Sequence, residues 1–233
     1  MKGADSATQE REAPSLSEHA YRTLRTAILD GALHPGERLR AIDLRRSYGL
    51  GLTPIREALT RLSVEGMITG ETHRGARVRD ASLDELADVT AARVEIERAC
   101  LARAMAAGDA AWEAGIVAAG HLLSRTPLPE GPEDRAGAAL WEGRHRAFHF
   151  ALVSACGSQW LLRFWNTLAD QSERYRAIRL IRRDEAEAEV RDVAAEHDAI
   201  MRAVVVRDAA RALDLMTAHL RATADSVARL LSV

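Results

Sequence analysis

Apolar residues recur at helical spacing along most of this chain, and only one short region reads as extended. Tyr21, Leu24, Ile28 and Leu29 line one face of a first helix over Leu16–Leu29, with Ser15 or Ser17 available as its cap. Asp30-Gly31 stops it, and His34-Pro35-Gly36 turns the chain before Leu39. Ile42–Tyr48 is a short second helix closed by Gly49. A third, Pro54–Glu65, carries the stripe Ile55, Ala58, Leu59 and Leu62, with Thr53 as N-cap and Pro54 at the first helical position. Gly66 ends it. Met67-Ile68-Thr69 is then extended, Glu71–Gly75 turns, and Ala76-Arg77-Val78 returns.

Three helices followed by a two-stranded wing predict a winged helix-turn-helix over residues 15–80. The preceding residues 1–14 are small, polar and charged, without periodicity, and read as a disordered arm. Beyond Asp80 the texture changes. Ser82-Leu83-Asp84-Glu85 has the polar cap and acidic first turn of a helix start. Helices are expected at about 83–107, 110–124, 135–156, 159–182, 186–207 and 209–231. The fold class is therefore mainly α: the winged head, then a six-helix antiparallel bundle over residues 81–233.

Composition sharpens this picture a little. Of the 233 residues 47% are hydrophobic but only 4% aromatic, which suits helices packed through Leu, Ala and Val. The formal net charge is −2. Residues 1–80 hold 13 Lys and Arg against 11 Asp and Glu, and the remainder 19 against 23. That asymmetry has the sign expected if only the head meets phosphate, and chance scatter gives totals of the same kind. Cys100 and Cys156 lie in apolar helical patterns without CxxC spacing and read as buried free thiols, as in a reducing cytoplasm. No apolar run is long enough to span a bilayer, so membrane association is not expected.

Two groups of residues carry chemistry. Arg56 and Arg61 leave the apolar stripe of the third helix and can face a partner, although Arg61 also suits a solvated ion pair. His145 and His149 are four apart and share a helix face, while His197 and His219 sit in apolar surroundings on the last two helices. Imidazoles converging from three helices make a divalent-metal site chemically reasonable. Any one of them alone reads as an ordinary helix histidine, as His121 does.

The runs YRTLRTAILDGALHPGERL, TPIREALTRLSVEGMI and RGARV resemble the winged helix of the GntR family of bacterial transcription regulators. The helical remainder resembles the FCD effector domain, in the shorter VanR-type form of the FadR subfamily. The resemblance implies a homodimer bound to a palindromic double-stranded DNA operator. Thr53, Pro54 and Arg56 would meet DNA from the third helix, and Arg74 and Arg77 from the wing. The family usually has Ser/Thr and then Arg before Thr-Pro; here Gly51 and Leu52 stand there, so one common base contact is missing and Leu52 can meet a thymine methyl instead.

The resemblance also implies a Zn²⁺ or Ni²⁺ ion held by His149, His197 and His219, with His145 where the family has Asp. Glu142, three residues earlier, can supply a carboxylate in its place. Effectors in this family are small carboxylates that complete the metal's coordination, and Arg93, Asn166 and Arg176 are the candidate anchors. For Arg93 an i,i+4 ion pair to Glu97 is an equal alternative. The expected function is a cytoplasmic, metabolite-responsive regulator, commonly a repressor, and no enzyme. Two rivals are a metal-dependent hydrolase or lyase on the helical domain, and a DNA-binding protein with a purely structural metal.

Overall fold

The computed structural model describes residues 15–70, 75–131, 133–181 and 191–232. The arm at residues 1–14 and the wing turn carrying Arg74 lie outside the described residues. Helix α1 is Leu16–Leu29, capped by Ser15, whose hydroxyl accepts from the Glu18 N–H at 3.2 Å. Strand β1 (Arg38–Leu39), helix α2 (Ala41–Tyr48) and helix α3 (Leu52–Val64) follow. Gly49 closes α2 in the left-handed region, with φ 67°, which a side chain would resist. Strands β2 (Ile68–Thr69) and β3 (Ala76–Val78) complete the head.

Two expectations need correcting. Helix α3 starts at Leu52 with Gly51 as its N-cap, so Thr53 and Pro54 are its second and third residues and no side chain caps it. The first-turn N–H groups have no intrahelical partner, so proline is tolerated at the third position too. A Cβ on Gly51 would lie 3.2 Å from Pro54 Cδ, a tight contact. The wing is also not a two-stranded ribbon alone. β1 adds a third strand in the order β1-β3-β2, antiparallel throughout, pairing Arg38 with Arg77 and Ile68 with Val78. Two residues beside a Pro-Gly turn are too short to show any period.

Six helices follow among the described residues: α4 (Leu83–Ala107), α5 (Ala110–Ser124), α6 (Arg135–Val153), α7 (Gln159–Ile181), α8 (Val193–Val205) and α9 (Ala209–Leu231). Helix α6 stops three residues short of its expected end because the Cys156 N–H bonds back to the Val153 carbonyl and Gly157 takes φ 69°. Helix α8 begins at Val193, and residues 182–190 ahead of it lie outside the described residues. Asp192 caps it through the Ala195 N–H at 2.9 Å.

The head has its own core, built on Leu24, Ile55, Leu59, Leu62, Met67 and Ile68. The bundle closes over a larger one that includes Leu101, Ile116, Phe148, Leu152, Trp165 and Met216. Cys100 and Cys156 are buried and free within it. Helix α7 joins the two bodies. Arg25 on α1 donates to Asp170 at 3.0 Å and to Glu173 at 2.8 Å, and Gln171 donates to the Glu65 carbonyl. Arg174 donates to the Arg79 and Asp80 carbonyls at 3.3 and 3.2 Å.

Leu62 is wholly buried in the head. Leu62→Ala should cost about 2–5 kcal/mol of stability by chemical denaturation, the range for emptying a packed leucine site. A loss within experimental scatter would mean that α3 does not pack through this stripe.

Candidate metal centre and nucleic-acid interface

Helix α6 carries His145 and His149 one turn apart on its inner face, α8 brings His197, and α9 brings His219. All four are buried, between 1 and 6% exposed. One ligand atom from each lies within 4.8 Å of every other. Ring centroids are 4.5 Å apart for His145–His149 and 4.7 Å for His197–His219. The expected convergence from three helices is therefore what the fold builds.

The ring nitrogens are short of partners. His145 Nδ1, both nitrogens of His149 and His197 Nε2 are buried without a hydrogen bond. Such atoms are costly unless something else meets them; on each neutral ring one nitrogen offers a lone pair and the other an N–H. Burial also keeps the rings neutral. It holds His145 and His149 well below the usual histidine range, His197 down to about 2, and His219 down to about 4 although Glu196 pulls the other way. Neutral imidazoles with free lone pairs are the form that binds a divalent ion. The cluster could hold one.

A second layer orients these rings. His219 Nδ1 is 2.8 Å from a Glu196 oxygen, and as the acceptor Glu196 fixes the proton on Nδ1, leaving Nε2 free. Arg191 grips the same carboxylate with two bonds of 2.6 Å and donates to the His219 carbonyl at 3.0 Å. Glu97, wholly buried, accepts from the Trp165 indole at 2.8 Å and turns its other oxygen toward His149 Nδ1 at 4.0 Å. Trp141 stacks on His145 at 4.7 Å.

The candidate anchors are differently placed. Arg176 is buried and holds Glu142 in a two-pronged pair, so the carboxylate proposed as a substitute ligand is already committed, at 3.7 Å from His145 Nδ1. Arg93 lies 3.6 Å from Glu97, the i,i+4 alternative, and burial lowers its pKa to about 10. Both arginines line a small cavity of about 20 Å³ beside His145 and His219. Asn166 lines instead a cleft of about 610 Å³ between α1 and the α6–α7 pair, where its side-chain oxygen accepts from Arg146 at 3.0 Å.

At the other end of the molecule Thr53 and Arg56 are exposed on the first turns of α3, and Leu52 and Pro54 are half-buried. Arg77 is exposed on β3 and donates to the Gly36 carbonyl at 2.9 Å. Arg61 pairs with Glu18 at 2.8 Å and Glu65 at 3.1 Å and covers the Tyr21 ring at 3.5 Å, so it braces α1 against α3.

Comparison with known proteins decides the family. The model of the bacterial regulatory proteins of the gntR family matches residues 16–78, and that of the FCD domain matches residues 88–222. The chain belongs to the GntR family. The HTH-type transcriptional repressor GlaR of Escherichia coli (strain K12) is 38% identical, over 86% of this chain and 90% of GlaR. The HTH-type transcriptional regulator BphR of Paraburkholderia xenovorans (strain LB400) is 34% identical, over 90% of this chain and 84% of BphR. Among solved structures E. coli McbR/YncC superposes with TM-score 0.76, covering 94% of this chain and all of that one, at 18% identity. A GntR regulator from Rhodococcus sp. RHA1 superposes with TM-score 0.70 at 20% identity. The chain is thus a DNA-binding transcription regulator and not an enzyme, and no helix among its described residues is long and apolar enough to cross a membrane.

Within this GntR chain three useful residues escaped sequence reasoning: Arg191, Glu196 and Arg38. Glu196 is adjacent to His197, which was the one available signal; Arg191, and the place of Glu97 beside Trp165 and His149, are visible only once the helices pack. Arg38 stands opposite Arg77 on the wing, exposed like it, through a strand too short to predict. If the four histidines hold an ion, Glu196→Ala should lower zinc affinity about 10–100-fold, read by competition with a chromophoric chelator. An unchanged affinity would show that Glu196 does not orient His219.

Proposed function

We propose that this GntR-family regulator is a homodimeric repressor that binds a palindromic operator and is released by a small carboxylate sensed at a divalent-metal site. Residues 15–80 form its DNA-reading head, and residues 81–233 its sensing and dimerising domain in the VanR-type form of the FadR subfamily, working in the cytoplasm. The single observation that carries the sensing half is the set of buried, neutral imidazoles, four of whose ring nitrogens, on His145, His149 and His197, have no protein hydrogen bond. His145, His149, His197 and His219 are the ligands, with Zn²⁺ or Ni²⁺ the metals suited to four nitrogens. A bound ion supplies fixed positive charge that attracts an anion.

The chain's own residues then pass the signal on. Arg93 and Arg176 flank the cluster, and Glu142 holds Arg176 in the absence of another carboxylate. Helix α7 carries Arg176 on one face and, within six residues before it, Asp170, Gln171, Glu173 and Arg174, which hold the head. A carboxylate that draws Arg176 from Glu142 therefore acts on the helix to which the head is fastened. Asn166 belongs to that same interface through Arg146. Release of DNA follows only if the ligand binds the two arrangements with different affinity.

On the head, the N-terminus of α3 directs free N–H groups and the Thr53 hydroxyl toward phosphate, and Arg56 reaches a base edge. Leu52 replaces a hydrogen-bonding contact with an apolar one, beside Pro54. Arg77 and Arg74 serve the wing side.

Native mass spectrometry of purified protein should show one divalent ion per chain, and anisotropy with operator DNA should fall when the effector is added. A bound effector that leaves operator affinity unchanged would end the switching scheme. Arg56→Ala should cost about 1–3 kcal/mol of operator binding and relax preference at one base pair. An equal loss on every sequence would assign Arg56 to phosphate alone.

A further inference from the structure

The histidine cluster is flanked by two spaces of very different size. The one holding Arg93 and Arg176 has about 20 Å³, enough for one water molecule. The other, a cleft of about 470 Å³ between α5, α6 and α8, has room for an organic molecule. Among the four cluster histidines it is His197 that lines this cleft, while His145 and His219 line the small one.

The cleft's walls are mostly apolar: Trp141, Phe148, Leu123, Leu128 and Met201. Phe148 stands edge-on to His197 at 5.3 Å, so aromatic surface and imidazole meet at one floor. Helix α5 contributes Gly120, an uncommon choice for a helix interior, where it costs about 1 kcal/mol relative to alanine. A Cβ there would lie 2.6 Å from Met201 Sδ and 3.4 Å from Phe148 Cε2, so glycine lets Met201 and Phe148 close against α5 and form this wall. The acidic group in the lining, Asp198, is paired with Arg202 at 2.8 Å.

Charge decides what the cleft accepts, and here the inference rests on the metal reading above. Four neutral imidazoles leave the charge of a divalent ion uncompensated. The carboxylates around them are each matched by an arginine: Glu142 by Arg176, Glu97 by Arg93, and Glu196 by Arg191. An ion held through one nitrogen of His197 would leave the other as an N–H, polarised by that ion and able to donate to an anion. The floor of the cleft thus wants one negative acceptor, and the walls want hydrocarbon.

We propose that the cleft between α5, α6 and α8 binds an amphiphilic monocarboxylate, an acid on an aryl or alkyl body, with the carboxylate at His197 and the body against Trp141, Phe148 and Met201. This ligand is a second one, distinct from the carboxylate that acts at Arg176: it meets the ion's surroundings through His197 and does not enter the 20 Å³ space.

The test is titration calorimetry on the zinc-loaded full chain, with 3-phenylpropanoate and hexanoate as probes and citrate as the polar comparison. The two monocarboxylates should bind and citrate should bind at least 10-fold more weakly. Ser124→Trp, from an exposed position of the lining on α5, crowds the cleft and should weaken 3-phenylpropanoate at least 10-fold while zinc affinity stays as in the parent. Val117→Trp, at the half-exposed rim, narrows the mouth without touching the core and should act in the same direction. Zinc retention with no monocarboxylate binding, or binding that neither variant weakens, overturns the cleft and leaves the metal reading standing. Failure of zinc itself to bind overturns the metal reading and the cleft's charge argument with it.

Discussion

Everything in the C-terminal domain is arranged around imidazole nitrogens that are buried and have no protein hydrogen bond. Desolvating a polar atom without a partner costs on the order of 1–3 kcal/mol, so a native fold tolerates several in one place only when they serve a purpose. His145, His149 and His197 supply four such atoms within one cluster. Burial also strips the rings of protons, since a charged imidazole would be poorly solvated among Trp141, Phe148 and its neighbours. The same burial that makes the nitrogens expensive makes them ligands.

Around that centre the charges are balanced almost pair by pair. Glu97 answers Arg93, Glu142 answers Arg176 and Glu196 answers Arg191. Two of these pairs are buried on both sides, where removing one partner strands a charge and is strongly destabilising. They hold the rings in place and keep the second layer close to neutral. The charge of an ion held there would therefore be felt by whatever lies in the adjoining cavities, which under the proposed function is the electrostatic basis for sensing an anion.

Helix α7 ties this centre to the head. Its inner face carries Arg176 and Trp165, the latter donating to Glu97. Its other side carries the groups that grip α1, Glu65 and the strand exit at Arg79. A rigid helix with two such faces cannot shift at one without moving the other. Arg61 belongs to the bracing of the head and not to its free surface, because it is shared among Glu18, Glu65 and the Tyr21 ring.

Periodicity in the sequence was enough to place the helices found among the described residues and two strands of the wing, because a buried stripe at 3.6-residue spacing survives any packing detail. Leu83–Ala107 and Ala110–Ser124 fall where the spacing and their polar caps put them. The short strand at Arg38, the start of α3 at Leu52 and the end of α6 at Val153 were beyond that logic, since each is set by one or two backbone bonds. The histidines were legible as a set of residue types, and their spacing on α6 put two of them on one face. That the other two meet them within 4.8 Å, that Glu142 is taken by Arg176, and that room for a ligand lies on the His197 side were decided by tertiary packing. Those facts depend on how α5, α6, α7, α8 and α9 cross, and no local pattern along the chain encodes a crossing.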